Sequence, residues 1–480
     1  MGRVSHKALR AAFGAAVDGV VKSVNQGRED NLLKIVDLAQ GFMKDYFLPS
    51  TYDAARDMIR NKDGKWMKYL NKGMSELNPN VIKMTALNLG YEAAFHGTKK
   101  MHRARDKYNC NIPWVILMDP TSACNLHCTG CWAAEYGHTM ALSYEDMDRV
   151  IRQGKKLGIY FYMYTGGEPL VRKKDLIRLC KKHKDCAFHA FTNGTLVDEE
   201  FCKQLQEVGN LSLSISLEGY QKVNDSRRGN GTFDHVMHAM DLLKKYGIIF
   251  GTSICYTRYN IETVTSDEFL DMIIEKGCRF TWYFHYMPVG NDAAVELLPT
   301  SEQREYMYHR VREIRGMEGG KPIFAMDFQN DGEFVGGCIA GGRNYCHINP
   351  NGDVEPCVFI HYSSANIKKV SLLEALQQPL FQAYSEGQPF NENLLRPCPM
   401  LENPEKLREM IRKTGAKSTD MQCPEDVCHL CDKCAAYAKD WAPVADRLWK
   451  ESQEKKAARS KQTQQVTAAA LSEDSSAHND

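Results

Sequence analysis

The sequence of 480 residues has no long apolar run and no excess of charge of either sign. A membrane-spanning helix needs roughly 18 apolar residues, whereas the longest strings here are short ones such as 114–118. Lysine and arginine number 61 against 60 aspartate and glutamate, so the charge balance gives no reason to expect nucleic-acid binding. We expect no transmembrane segment and no nucleic-acid partner. Because the N-terminus also lacks a secretory apolar core, we expect a cytoplasmic protein.

Strand signals are scarce in residues 1–109, which instead show the apolar spacing of helices. We predict a helical N-terminal region there. Over 110–330 a short apolar run, turn residues and a longer amphipathic segment alternate six times, as in βα units. The predicted fold class is α/β, a partial (β/α)6 TIM-like barrel. Its predicted strands cover 113–118, 159–164, 187–191, 211–217, 248–255 and 280–286.

The helical rhythm stops after residue 330, where cysteines become dense. We predict a small Cys-rich C-terminal module over 331–450. Residues 451–480 are rich in lysine, glutamine, serine and alanine, which predicts a polar tail that is partly helical or disordered. The chain has 17 cysteines, an odd number that cannot all pair as disulfides. Clustered cysteines without a secretion signal indicate metal binding.

Three cysteines, Cys124, Cys128 and Cys131, directly follow the first predicted strand. Barrel enzymes place their chemistry on the loops at this end of the strands. Thiolates are soft ligands suited to iron–sulfur clusters or zinc, and three of them leave one iron of a 4Fe-4S cluster open. The alternative is a structural zinc site that takes a fourth ligand from His127, His138 or Cys110.

The CxxxCxxC spacing of these cysteines resembles the signature of the radical SAM superfamily, whose open iron binds S-adenosylmethionine. A second segment, Tyr164-Thr-Gly-Gly-Glu-Pro169, follows the second strand and resembles the GGEP motif of that family. The resemblance implies that Gly166, Gly167 and Glu168 contact the cofactor. The sequence departs from the family at Gly130, where an aromatic residue usually precedes the third cysteine.

Polar residues end the third and fourth predicted strands at the same face of the barrel. Asn193 and Ser216 are therefore candidate contacts to the ribose of the cofactor. Arg228 precedes Gly229 in a stretch that resembles the family segment in which an arginine approaches the carboxylate of the cofactor. A guanidinium group matches a carboxylate in a bidentate manner. We assign no catalytic acid or base from the sequence.

The Cys-rich module opens with Cys338, thirteen residues, Gly352, four residues and Cys357. This spacing resembles the start of a SPASM extension, which implies auxiliary 4Fe-4S clusters. We expect Cys338, Cys357 and Cys398 in one cluster, with Cys346 as candidate fourth ligand. A second cluster or a zinc ion is expected at Cys423, Cys428, Cys431 and Cys434. Small core roles are expected for Cys180, Cys186, Cys202, Cys255 and Cys278.

The resemblance implies an enzyme that cleaves S-adenosylmethionine at the reduced cluster and abstracts hydrogen with a 5′-deoxyadenosyl radical. An electron donor such as flavodoxin or ferredoxin would reduce the cluster. The first hypothesis for the substrate is a peptide or protein. The second is a lipid, a tetrapyrrole or another small molecule. The third hypothesis is a non-enzymatic iron–sulfur or zinc protein.

Overall fold

The computed structural model describes residues 6–22, 28–43, 49–316 and 319–476. The N-terminal region is helical, as predicted. Its helices are α1 (His6–Lys22), α2 (Arg28–Met43), α3 (Pro49–Arg60), α4 (Lys65–Glu76), α5 (Pro79–Thr85), a π-helix (Ala86–Gly97) and α6 (Thr98–Tyr108). Within the described ranges, no helix combines the length and the apolarity that a membrane span requires.

Strands and helices alternate through the central region. The elements are β1 (Val115–Met118), α7 (Tyr144–Leu157), β2 (Phe161–Tyr164), α8 (Lys173–Lys182), β3 (Ala187–Thr192), α9 (Glu199–Val208), β4 (Leu211–Ser216), α10 (Gln221–Arg228), α11 (Thr232–Lys245), β5 (Phe250–Tyr256), α12 (Ile261–Thr265), α13 (Asp267–Glu275), β6 (Phe280–His285), α14 (Ser301–Ile314) and β7 (Phe324–Asp327). Helix α7 shows how sequence sets a boundary. Ser143 and Asp146 cap its first turn reciprocally, and Gly158 ends it in the left-handed region.

Short elements and one long helix follow. They are α15 (Gly332–Val335), β8 (Tyr345–Ile348), β9 (Val354–Glu355), β10 (Tyr362–Ser363), α16 (Leu372–Leu376), α17 (Pro379–Gly387), α18 (Pro404–Thr414), β11 (Lys417–Ser418) and α19 (Val427–Ser476). The expectation of disorder in the polar tail is corrected as far as Ser476, because α19 continues to that residue. Alanine, lysine, glutamine and glutamate favour helix there. Residues 477–480 lie outside the described residues.

The six predicted strands occur as β1 to β6, within a larger sheet. The strand order is β7-β6-β5-β4-β3-β2-β1-β8-β9. All neighbours are parallel except β8 and β9, which form an antiparallel pair. Strand β8 joins the barrel beside β1, with Val115 opposite Tyr345. The Cys-rich module therefore extends the barrel sheet and lies next to the loop that follows β1.

The N-terminal helices pack against the loops through which the chain enters the strands. The Asn78 amide donates to the Gly247 carbonyl at 2.8 Å, just before β5. A Cβ at Gly158, just before β2, would lie 2.6 Å from the carbonyl oxygen of Gly97. These loops lead to the amino ends of the strands, so the helical region covers the face of the barrel opposite to the carboxyl ends.

Candidate active site

A large cavity, of about 230 Å³, lies at the carboxyl ends of the barrel strands. The three cysteines of the loop after β1, Cys124, Cys128 and Cys131, line it together. Burial raises the pKa of Cys124 to about 11 and also raises the pKa of Cys131. The loop thus presents three thiols to one cavity, the donor set that an iron–sulfur cluster needs.

The two glycines after β2 allow this loop to approach closely. A Cβ at Gly167 would lie 2.3 Å from the Ala123 carbonyl oxygen, and one at Gly166 would lie 2.6 Å from that of Thr121. The Gly167 amide donates to Thr121 and the Glu168 amide donates to Ala123, at 3.0 and 2.9 Å. Glycine is required at both positions because the chain that leads to Cys124 packs on them.

Glu168 is 1% exposed, and its carboxylate is fully engaged by the protein. It accepts hydrogen bonds from the Thr192 hydroxyl at 2.6 Å and from the Asn193 amide at 2.8 Å. The Asn193 side chain donates to Asn125 at 2.9 Å and lies 4.0 Å from Cys124 Sγ. Glu168 therefore ties the end of β3 to the cysteine loop, and Asn193 lies beside the first thiol.

Two arginines face the cavity from the end of α10. Arg227 Nη1 and Arg228 Nη2 donate to Glu218 Oε1 at 2.7 and 2.5 Å. Arg228 Nη1 is also 3.9 Å from Cys128 Sγ. Ser216, at the end of β4, lines the same wall. All six cofactor-contact candidates from the sequence, Gly166, Gly167, Glu168, Asn193, Ser216 and Arg228, thus border one cavity.

The departure from the family pattern at Gly130 has a steric cause. Gly130 has φ of 65°, and a Cβ there would lie 2.8 Å from the ring of Tyr286. Tyr286 therefore occupies the space beside the third cysteine. The proposed zinc ligands do not join the thiols. His127 and His138 are exposed and do not line the cavity, and Cys110 precedes the amino end of β1.

A second cavity, of about 60 Å³, lies in the Cys-rich module and adjoins the first. Cys338, Cys357 and Cys398, the three cysteines expected in one cluster, line it together. Tyr345 lines both cavities, and its hydroxyl donates to Cys357 Sγ at 2.7 Å. Tyr345 is therefore a direct link between the wall of the large cavity and a thiol of the small one.

The hydroxyl of Tyr384 is buried without a hydrogen-bond partner among the described residues. Burial raises its pKa well above the ordinary value, and the neighbouring thiols of Cys338, Cys357 and Cys398 raise it further. An unpaired buried hydroxyl costs roughly 1–3 kcal/mol. The three thiols that line the small cavity are soft donors, and Tyr345 donates a hydrogen bond to one of them, so the residues present fit an iron–sulfur cluster.

The remaining cysteine candidates lie elsewhere. Cys346 follows Tyr345 along β8, so its side chain points to the opposite face of the strand, and it is absent from the wall of the small cavity. The structure therefore does not bring Cys346 to the other three thiols. The group at the start of α19 lines neither cavity; its members are Cys423, Cys428, Cys431 and Cys434. Cys423 is exposed, and Arg412 donates to Cys428 Sγ at 3.0 Å.

A buried chain of hydrogen bonds and one ion pair connects the two cavities. His285 Nδ1 donates to the carbonyl of the next residue at 2.6 Å, and its Nε2 lies 2.8 Å from the Tyr437 hydroxyl. Burial lowers the pKa of His285 to about 3, so the neutral ring accepts from Tyr437. Arg304 donates to Tyr437 at 3.3 Å and pairs with Glu402 at 2.6 Å. Glu402 accepts from the Cys398 amide, also at 2.6 Å.

Charged groups also fix the loop after β1 against the module. His347 on β8 contacts Asp119 at 3.0 Å and Glu355 at 2.6 Å, and all three are fully buried. Although burial lowers the pKa of His347, the two carboxylates raise it to about 10. Tyr136, beyond the cysteines, donates to Glu355 at 2.8 Å. The His347 imidazolium thus holds the start of the cysteine loop, and Glu355 holds its far end, to the hairpin of β8 and β9.

Several residues of the site were missed in the sequence. Glu218 and Arg227 form the ion pair beside the thiols, and Cys255, expected in the core, lines the large cavity from β5. Tyr345 donates a hydrogen bond to Cys357 of the second thiol group, and the thiols of this group raise the pKa of Tyr384. Side chains alternate along a strand, so Cys255 shares one face of β5 with the polar Ser253, and this was the available signal for Cys255. The sequence carries no such signal for Tyr345 or Tyr384.

Two family models match the chain. The model of the radical SAM superfamily matches residues 118–274, which include the cysteine loop and strands β2 to β5. The model of the SPASM iron–sulfur cluster-binding domain matches residues 338–400, which include the three cysteines of the small cavity. The first match contains the three thiols of the large cavity, and the second contains the three thiols of the small cavity.

Curated relatives are similar over about half of the chain or more. An AdoMet-dependent heme synthase of Methanosarcina barkeri is 24% identical, covering 62% of this chain and 87% of the relative. The mycofactocin maturase MftC of Mycolicibacterium smegmatis is 29% identical, covering 52% of this chain and 65% of the relative. Among solved structures, Streptococcus suis SuiB bound to its precursor peptide SuiA has a TM-score of 0.53 at 18% identity. This match covers 84% of this chain and 92% of SuiB, and it shows that the two folds are similar.

Proposed function

Because the chain belongs to the radical SAM superfamily and carries a SPASM iron–sulfur domain, we propose that it modifies a peptide or protein by radical chemistry. The observation that carries the proposal is the convergence of three loop thiols with the Gly-Gly turn at the carboxyl ends of the barrel. Its cofactors are 4Fe-4S clusters and S-adenosylmethionine. When bound and reduced, they supply a 5′-deoxyadenosyl radical that abstracts hydrogen from the substrate.

Cys124, Cys128 and Cys131 are the proposed ligands of the cofactor-binding cluster. Gly166, Gly167, Glu168, Asn193, Ser216 and Arg228 are the proposed contacts of S-adenosylmethionine. Glu168 acts by position, since its carboxylate holds Thr192 and the Asn193 amide rather than pointing free into the cavity. The ion pair of Arg228 with Glu218 keeps a guanidinium beside the thiols, where it offsets their negative charge.

Cys338, Cys357 and Cys398 are the proposed ligands of an auxiliary cluster. Support comes from their common cavity and from the hydrogen bond that the Tyr345 hydroxyl donates to Cys357. The group at the start of α19, whose members are Cys423, Cys428, Cys431 and Cys434, remains a proposed site for a second cluster or zinc. We further propose a flavodoxin or ferredoxin as electron donor and a cytoplasmic location.

The proposal of a peptide or protein substrate is supported by the similarity to relatives named mycofactocin maturase. The tetrapyrrole alternative corresponds to relatives named AdoMet-dependent heme synthase, and it is tested as a second arm of the same experiment. The non-enzymatic alternative is disfavoured, because the match to the radical SAM superfamily covers both the cysteine loop and the Gly-Gly turn.

The decisive experiment is anaerobic reconstitution with iron and sulfide, reduction with dithionite, and addition of S-adenosylmethionine. We expect 5′-deoxyadenosine and methionine in equal amounts, measured by liquid chromatography and mass spectrometry. Addition of a candidate peptide should increase the rate more than addition of iron-coproporphyrin. Stoichiometric zinc in the protein as isolated, with no 5′-deoxyadenosine after reconstitution, would reject the proposal.

A second prediction concerns the tyrosine that contacts the auxiliary thiol. A hydrogen bond to a cluster sulfur stabilises the more negative, reduced state, so Tyr345→Phe should lower the reduction potential of the auxiliary cluster. Redox titration followed by electron paramagnetic resonance measures this shift. Tyr162→Phe is the matched control, because its buried hydroxyl contacts backbone carbonyls of the barrel. An equal shift in both variants would assign the effect to general loosening of the fold.

A further inference from the structure

A cluster of two histidines and one glutamate lies in the N-terminal helical region, and none of the three lines either thiol-lined cavity. His6 begins α1, and Glu92 and His96 lie on the π-helix over Ala86–Gly97. One ligand atom from each side chain, a ring nitrogen or a carboxylate oxygen, lies within 4.8 Å of the other two. The ring of His96 also contacts that of Tyr160, just before β2, at a centroid distance of 5.8 Å. The cluster therefore lies near the amino ends of the barrel strands, on the face opposite to the candidate active site.

The π-helix presents Glu92 and His96 on one face, because side chains four residues apart on a helix are neighbours. Such backbone is rare, mostly limited to a single turn and frequent at functional sites, whereas this π-helix spans 12 residues. His6 reaches the same face from α1. Its ring centroid is 3.8 Å from that of His96, and its Nε2 is 3.0 Å from Glu92 Oε2. Two segments distant in the sequence thus bring three donor groups together.

The carboxylate of Glu92 is held by the protein through its other oxygen. Glu92 is fully buried, and Arg10 Nε donates to its Oε1 at 2.6 Å. Arg10 also donates to Asn88 Oδ1 at 2.7 Å, and the Asn88 side chain donates to the Cys186 carbonyl at 3.0 Å. Carboxylates that bind metal ions are hydrogen-bonded by outer residues in this manner. Arg10 therefore fixes the carboxylate with Oε2 beside His6.

The ring of His96 has an available donor atom. Among the described residues it contacts the rings of His6 and Tyr160, and neither of its nitrogens has a hydrogen-bond partner. Burial lowers the pKa of His96 to about 4, so the ring is neutral near pH 7 and keeps a lone pair. The His6 side chain is 39% exposed, which gives water access to the cluster.

We propose that His6, Glu92 and His96 bind one Zn²⁺ ion, and that this ion fixes α1 to the π-helix. Imidazole nitrogen and carboxylate oxygen are ordinary zinc ligands, and zinc sites with three protein ligands take water as the fourth. One carboxylate and two imidazoles suit zinc better than Ca²⁺ or Mg²⁺, which prefer oxygen ligands. The hydrogen bond between His6 and Glu92 gives way to two bonds to the ion. The site is independent of the proposed radical chemistry, since it shares no residue with either cavity.

The test is cadmium NMR of the reconstituted holoenzyme, with Cd²⁺ added until no signal grows further, as a probe for the zinc site. Cadmium bound by nitrogen and oxygen resonates at a much lower frequency than cadmium bound by thiolates, so the cysteine sites do not interfere. We expect one resonance in the nitrogen–oxygen range, which added Zn²⁺ displaces. The absence of a resonance in that range would overturn the inference.

Two ligand variants and a matched control assign this resonance. His6→Gln and His96→Gln should each weaken Cd²⁺ binding by at least about 100-fold, since changes in the outer shell alone cost 10–100-fold. Competition with a chelator of known affinity measures the dissociation constants. His235→Gln is the control, because His235 is exposed on α11 and belongs to no such cluster in the described part of the chain. Unchanged affinity in either ligand variant, or an equal loss in the control, would contradict the assignment.

Hydrogen exchange of the holoenzyme tests whether the ion fixes α1. An ion that binds only while α1 is docked suppresses undocking about 100-fold at a free Zn²⁺ concentration of about 100 Kd. We therefore expect amides that exchange through undocking of α1 to slow by about this factor in the wild type and to be unaffected in His96→Gln. Helix α13, in the barrel, serves as the internal control. No slowing in the wild type, or equal slowing in His96→Gln, would overturn the inference.

Discussion

Replacement of Cys124, Cys128 and Cys131 together by alanine is expected to abolish cleavage of S-adenosylmethionine. The three thiols are the soft donors that one loop brings to the large cavity, and without them the cofactor-binding cluster has no ligands. Changes in the outer shell of a metal site already cost 10–100-fold. We therefore expect a loss of more than about 100-fold in 5′-deoxyadenosine, together with loss of about four irons per chain. Iron analysis and mass spectrometry measure both quantities.

Cys255→Ser is the informative control for this triple variant, because Cys255 lines the same cavity from β5. If three cysteines hold the cluster and leave one iron open, this variant keeps its iron and its cleavage activity. Equal iron loss in Cys255→Ser would indicate a cluster closed by four thiolates. Retained cleavage in the triple variant would reject the three loop cysteines as ligands.

The sequence was sufficient for the barrel because each βα unit carries its own periodic pattern. Strands β1 to β6 were predicted from apolar runs followed by amphipathic helices. Strand β7 (Phe324–Asp327) is short, and β8 (Tyr345–Ile348) has no helix before it that marks a βα unit. Strand β8 joins the barrel by pairing with β1, more than two hundred residues earlier. A local pattern does not encode such a contact.

The residues of the candidate active site also fall into those that a local pattern predicts and those that depend on distant contacts. Cysteines and glycines of short motifs were found because their chemistry and spacing lie within a few residues. Glu218, which pairs with Arg228, was missed because their contact depends on the turn between β4 and α10. Cys346 was placed with Cys338 and Cys357 by proximity in sequence, whereas strand alternation turns it to the other face of β8.

The buried ion pair between Arg304 and Glu402 joins the barrel to the module at the auxiliary thiols. Arg304 lies on α14 and Glu402 precedes α18; both side chains are 0% exposed and their charged atoms are 2.6 Å apart. Glu402 also accepts from the Cys398 amide at 2.6 Å. Removal of one member of such a pair leaves an unpaired buried charge. This typically costs about 3–5 kcal/mol.

We therefore expect Arg304→Met to lower the free energy of unfolding by about 3–5 kcal/mol, measured by anaerobic urea denaturation of the reconstituted protein. The double variant Arg304→Met with Glu402→Gln should recover much of this loss, because neither charge then remains unpaired. Arg447→Met is the matched control. Its pair with Glu305 has the same 2.6 Å separation but is 49% and 27% exposed, so we expect a loss of at most about 1 kcal/mol. Equal losses at the two pairs, or no recovery in the double variant, would contradict the assignment of this cost to an unpaired buried charge.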